Sequence, residues 1–287
     1  MRSPAHPDQQ RGLRPTVTGA AAAAVAVSAL IEGARRWPAL SGPGWIRRNH
    51  RGRQVSLVAG PATAFTASIV SAALVPRGIR GATLLLGLGA GAVGLYDDMA
   101  GSRPEQQRDK GFRGHVLALR SGRVSSGAVK VLGVVGVSVA AAGSVSNGTV
   151  DRIIAAGVMA GTANLVNLLD LRPGRAAKAS AIAGTVLLRG IAGGTGAAVL
   201  GTSLGVLPAD LGERVMLGDA GANALGALLG FRLAAGSPPP ARAAILVALV
   251  ALTAASERIS FTRVIESTPG LRELDSWGRL QSRPPQP

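Results

Sequence analysis

The sequence contains no cysteine, which excludes disulfides and thiolate metal sites. Acids are scarce as well: 15 Asp and Glu stand against 31 Lys and Arg, giving a formal charge of +16 over 287 residues. Charge of that size suits a nucleic-acid binder, but the rest of the composition excludes one that is soluble. The mean hydropathy is +0.31, and apolar runs of about 17 to 22 residues recur along the chain. A basic chain with such runs reads as an all-α, polytopic transmembrane helical bundle whose arginines occupy the loops. Its partner is then the membrane, with no role for nucleic acid.

Candidate spans cover roughly 16–32, 54–75, 79–96, 126–146, 150–168, 178–192, 193–207, 217–235 and 241–256, about nine transmembrane helices. They are rich in Ala and Gly rather than Leu and Phe, and small residues let helix backbones approach closely in lipid. The pair around "LLRGIAGGTGAAVL" is short, with Arg189 and the Gly193-Gly194 turn signal between its members. The first span follows a basic start and so resembles a signal peptide, but eight further spans favour a retained helix. The chain divides into a disordered N-terminal segment (1–15), a transmembrane region (16–256), an amphipathic segment (257–278) and a disordered tail (279–287).

Loops on alternate sides of such a bundle differ in charge. One set, 33–53, 97–125, 169–178, 208–216 and the tail after 256, carries about 21 Lys and Arg; the other carries about 9. The positive-inside rule places the first set in the cytoplasm, with the N-terminus outside and the C-terminus cytoplasmic. Four aspartates fall on that same face: Asp97 and Asp98 in "GLYDDMAGS", Asp170 in "NLVNLLDLRPGR" and Asp219 in "VMLGDAGANALG". A carboxylate at the lip of a span is costly to desolvate and usually has a partner or a task. N-capping accounts for Asp219. It does not account for Asp97 and Asp98, since acids at a helix C-terminus oppose the macrodipole. Two adjacent acids there favour a cation site, and hard oxygen ligands point to Mg²⁺, with Mn²⁺ fitting the same set. Basic stretches nearby, "RRNHRGR" at 47–53 and "RDKGFRGHVLALRSGR" at 108–123, follow from the positive-inside rule and also suit a funnel for phosphorylated substrates.

"GLYDDMAG", "NLVNLLDLRPG" and "MLGDAGANALGALLG" resemble, in order and spacing, the motifs of the polyprenyl-phosphate sugar-1-phosphate transferases. That family includes the phospho-N-acetylmuramoyl-pentapeptide and GlcNAc-1-phosphate transferases of cell-envelope glycan synthesis, and the likeness covers about residues 45 to 235. The resemblance implies a reaction in which a polyprenyl phosphate attacks the β-phosphate of a UDP-sugar, UMP leaves, and Mg²⁺ assists. Asp97 and Asp98 match the family's paired acids, which orient or deprotonate the lipid phosphate and approach the metal. Asp219 matches its metal-ligand aspartate, and Asn167 and Asp170 match the motif on the nucleotide side. Gly218 and Gly221 would let backbone approach phosphate. Lys130 sits where the family has a lysine that contacts the diphosphate; a snorkelling interfacial lysine is its alternative. Asn49, His50 and Arg53 fall in a loop similar to the family's substrate loop. A homodimer is compatible with the family, though no residue specifies it.

The departures are specific. Pro173, flanked by Arg172 and Arg175, stands near the place of a second nucleotide-motif aspartate. Met216 replaces a base-stacking aromatic, and the late histidine-rich loop is missing, since the histidines are His6, His50 and His115. The late segment instead offers Phe261, Val264, Ile265, Leu271, Leu274 and Trp277 to the membrane or the site, with Glu257, Arg258 and Arg263 as candidate replacement contacts. These features predict a divergent transferase branch. The alternatives are a catalytically degenerate relative that binds lipid-linked sugars or an envelope-assembly partner, and an unrelated transporter, whose ionisable residues belong near midplane instead.

Overall fold

The computed structural model describes residues 7–100 and 126–280, with side chains from residue 16 onward. The basic stretch at 108–123, His115, residues 1–6 and the tail from 281 lie outside the described residues. The elements in order are α1 (Pro7–Arg36), two 3₁₀ turns (Pro38–Leu40 and Pro43–Trp45), β1 (Ile46–Arg48) and β2 (Gln54–Ser56). There follow α2 (Ala59–Leu74), α3 (Arg77–Ala100), α4 (Ser126–Ala142), α5 (Thr149–Leu169), α6 (Arg175–Val186) and α7 (Gly193–Leu211). The last are α8 (Gly218–Ala235), α9 (Pro239–Ser256), α10 (Phe261–Ser267) and α11 (Leu271–Ser276). Among the described residues, the antiparallel hairpin β1–β2 is the only sheet, so the architecture is helical.

Each of the nine apolar runs contains most of one helix, though the run at 54–75 begins in β2 and that at 178–192 outlasts its helix. Four of these helices, over Thr16–Arg36, Arg77–Ala100, Thr149–Leu169 and Pro239–Ser256, are long and apolar enough to cross a membrane. The first of them has regular backbone from Pro7, upstream of its apolar part. Outward-facing positions are greasy, as in Leu132 at 69% exposure and Val247 at 68%, which suits contact with lipid. Several hydroxyls inside the apolar helices bond back to their own turn. Ser68, Thr83, Ser138 and Thr162 donate to the carbonyls of Ala64, Ile79, Val134 and Val158 at 2.6–2.7 Å.

Successive helices run in alternate directions. At one end, Asp98 near the end of α3 meets the start of α8, Lys130 early in α4 meets Asp219, and Asp210 late in α7 meets Gly174 just before α6. At the opposite end, Arg242 in α9 pairs with Asp151 in the first turn of α5 (2.6 Å). Arg232 in the last turn of α8 donates there to the carbonyls of Leu187 and Arg189, beyond α6. The run at 178–192 is therefore not one helix. α6 has 12 residues, about 18 Å at 1.5 Å per residue, and turns complete its course. Arg232 supplies a donor to those turn carbonyls, which lie beyond the reach of the α6 ladder.

α8 is the central helix, with 14 of its 18 residues buried. Its glycines set the packing distance. A Cβ added at Gly226 or Gly230 would come within 2.6 Å of the Cα of Ala163 or Met159 on α5, so the two backbones touch with nothing between them. Leu225, Leu228 and Leu229 fill the space toward Val27, Val166 and Val206, while Phe231 packs among Leu86, Met159 and Leu249.

Candidate functional site

The four sequence-predicted aspartates gather at the end of the bundle where α8 begins. Asp98 accepts from the backbone amides of Asp219 and Ala220, one per carboxylate oxygen, each at 3.0 Å. An acid that opposes the dipole of its own helix thus caps the positive end of another. Gly218, at φ +59, makes room for it, since a Cβ there would lie 2.8 Å from Asp98 Oδ2. Arg47 on the hairpin donates to the Asp98 carbonyl (2.6 Å). Gly221 packs against Gly60 of α2. The two glycines serve capping and helix contact here.

Asp97 and Asp219 are in hydrogen-bond contact with each other and share Lys130, whose ammonium lies 2.5 Å from Asp219 Oδ2 and 3.5 Å from Asp97 Oδ2. Asn167, with its amide oxygen turned to the ammonium, accepts from Lys130 Nζ (2.9 Å) and donates to Asp219 Oδ1 (2.6 Å). Asn167 and Asp170 are one helical turn apart, so the same turn that brings Asn167 to Asp219 brings Asp170 beside the Gly218 amide and within the field of Asp98, Asp210 and Asp219.

Asn49 and Arg53 lie elsewhere. They belong to the β1–β2 turn, where Asn49 Oδ1 accepts from the amides of Arg51 and Arg53. Asn49 Nδ2 donates to Glu213 (2.8 Å), and Arg51 and Arg53 pair with the same carboxylate at 2.8 and 3.5 Å. Glu213 has φ +51, a left-handed backbone that is uncommon outside glycine, and its three partners hold it there. This turn walls a polar cavity of about 510 Å³ whose lining includes Arg48, His50, Asp170, Arg172, Asp210 and Met216. Burial, then the guanidiniums of Arg172 and Arg51, push His50 below its ordinary value, so its imidazole is neutral at neutral pH.

A second recess, about 490 Å³, opens on the outer side of the same cluster between α4, α5 and α9. Val131, Val134, Val135, Leu246, Leu249 and Val250 line it, and Lys130, Asn164 and Glu257 stand at the end nearest the carboxylates. Asn223, one turn beyond Asp219 on α8, faces it with neither amide atom paired.

The segment after α9 folds back over this end. Arg175 holds Asp275 with two bonds (2.8 and 3.0 Å), Arg279 adds a third (2.6 Å), and Lys178 donates to the carbonyls of Leu274, Asp275 and Trp277. Burial alone would raise the Asp275 carboxyl; the Arg175 bonds and the Arg279 charge outweigh it and hold the group below the ordinary carboxylate range. Ser260 and Thr262 reach the polar cavity, whereas Arg258 and Arg263 point to solvent.

Whether these residues suit a divalent ion can be tested on their donors. Among the described residues no three His, Asp or Glu side chains converge as a ready metal cage. Mg²⁺ is commonly held by one or two carboxylates plus substrate phosphates, and Asp97 and Asp219, with the Asn167 oxygen beside them, supply that many hard donors. Asp98, committed to two amides, is the poorer ligand. No known protein family and no curated protein matches the chain, so a functional reading rests on the three motifs and this geometry. Sequence reasoning missed Asp210, Glu213 and the Arg175–Asp275 pair. Asp210 and Glu213, two acids within four residues in a chain with only 15, were a signal that could have been followed.

Proposed function

We propose that the protein is an integral membrane phosphotransferase that moves a sugar-1-phosphate from a UDP-sugar to a polyprenyl phosphate, releasing UMP, in cell-envelope glycan synthesis. The observation that carries this reading is the position of the Asp97–Lys130–Asp219 cluster. Lys130 lines an apolar groove suited to a lipid chain, and Asp170, one turn from Asn167, lines a polar cavity suited to a nucleotide. The two reactants differ in solubility and can meet only at such a boundary. All nine helices then cross the bilayer. The end bearing the cluster holds the basic loops, so the positive-inside rule assigns it to the cytoplasm, where sugar nucleotides reside.

A lipid phosphate at the head of the groove attacks the β-phosphorus. The new phosphorus–oxygen bond forms as the bond from that phosphorus to the bridging oxygen breaks, and the electron pair leaves with UMP. The attacking phosphate is already anionic near neutral pH, so the chain's task is positioning and charge compensation rather than proton removal. Lys130 neutralises charge on the diphosphate. Asp98 fixes the start of α8 and with it Asp219. Asn167 and Asp170 orient the nucleotide side, with Arg48 and Arg172 as cations in the cavity wall. Mg²⁺, held by Asp219 and Asp97, would supply further neutralisation at the diphosphate.

The test is UMP release by detergent-purified protein given polyprenyl phosphate, Mg²⁺ and a panel of UDP-sugars. Release with at least one sugar that requires the lipid supports the proposal. No UMP with any of them, from folded protein, favours a relative that only binds.

A further inference from the structure

The Lys130 ammonium occupies the position that a divalent ion bridging Asp97 and Asp219 would need. It makes close polar contacts with Asp219 (2.5 Å), Asn167 (2.9 Å) and Asp97 (3.5 Å) at once. We propose that Lys130 is a built-in placeholder for the cation, so that the ion binds only in company with a diphosphate that draws the lysine away. This deepens the transferase reading and rests on it for the identity of the diphosphate. The exclusion of free metal by Lys130 rests on the geometry alone.

Two like charges cannot share this space. The lysine stands within hydrogen-bond reach of the oxygens a metal would bind, and repulsion at that separation is severe in a partly desolvated site. A free ion must therefore evict Lys130 from three partners. The freed ammonium then gives up the carboxylates it compensates, since Asp98 is committed to the α8 amides and Glu213 to the hairpin, and among the described residues Glu257, across the apolar recess, is the acid left to it. A diphosphate removes the conflict: its oxygens take the ammonium while the two carboxylates and another phosphate oxygen take the ion. Without substrate the lysine keeps the facing carboxylates compensated, and α4 remains tied to α5 and α8.

Mn²⁺ binding followed by electron paramagnetic resonance on purified protein tests this without turnover. Wild-type protein is expected to bind Mn²⁺ weakly when the ion is alone and at least about tenfold more tightly when UDP is present, the gain expected of linked binding. Lys130→Met should bind Mn²⁺ alone at least tenfold more tightly than wild type, and Lys130→Arg, which keeps the charge, should not. Equal affinity of wild type and Lys130→Met for Mn²⁺ alone overturns the placeholder. So does wild-type affinity that is unchanged by UDP, a result that needs no variant to fold. Tight Mn²⁺ binding by Lys130→Met, with wild-type protein that releases no UMP from any UDP-sugar, would leave the placeholder standing and remove the transferase reading instead.

Discussion

At the scale of single residues, two neighbours in sequence perform different tasks. Asp98 caps α8 through two amides, whereas Asp97 faces Lys130. Asp98→Ala should therefore lower stability by about 1–2 kcal/mol, as loss of a helix cap does, read as a drop in the unfolding midpoint in detergent. Gly218→Ala should do the same by a similar amount, since it adds a Cβ at positive φ against that carboxylate. Asp219→Asn should leave the midpoint nearly unchanged and cut UMP release by roughly 100-fold or more, the scale seen when a group that stabilises developing charge is removed. The candidate acids could be read from the sequence because they interrupt apolar runs in an acid-poor chain. The division of labour between them could not, because the α8 amides that claim Asp98 are about 120 residues away. Asn49 and Arg53 show the reverse. Their loop was visible, but their partner Glu213 was not: both bind that carboxylate, and Asn49 also lines the polar cavity.

At the scale of elements, the apolar runs marked where helices lie, since length and hydropathy are local properties. They did not mark where α6 stops, because its end depends on Arg232 of α8 satisfying the turn carbonyls that follow. The segment with α10 and α11 is likewise held by non-local charge: Arg175, Lys178 and Arg279 converge on Asp275 and the carbonyls around it. Asp275→Asn should loosen this segment, seen as faster hydrogen exchange across 257–280 and, because Ser260 and Thr262 border the polar cavity, weaker UDP-sugar binding. The same clamp should depend on pH. A carboxyl whose folded value is depressed contributes stability that is present above its unfolded value of about 3.9 and is lost as pH falls through the folded value. Protection of the segment should thus be flat from neutral pH to about 5 and fall below about 4. Loss of protection already at pH 6 would show that another group governs docking.

At the scale of the whole molecule, antiparallel helices bring the ends of α3, α5 and α7 and the starts of α4, α6 and α8 to one rim, and the basic hairpin at 46–56 and the turn at 170–174 lie there too. The absence of cysteine makes orientation simple to measure. Ser276→Cys at the rim should react with a membrane-impermeant maleimide only after cells are opened, and Val150→Cys, exposed at the opposite end, should react in intact cells. The reverse pattern would put the site on the wrong side of the membrane for a sugar nucleotide. The most direct test of the central claim follows the phosphorus itself. A UDP-sugar carrying radioactive phosphorus at the β position is incubated with polyprenyl phosphate, Mg²⁺ and either wild-type protein or folded Asp219→Asn. The account predicts that the label passes into the lipid fraction with wild type, in step with unlabelled UMP, and scarcely at all with the variant. Label that stays in water with every UDP-sugar, or that enters lipid equally well with Asp219→Asn, would contradict it.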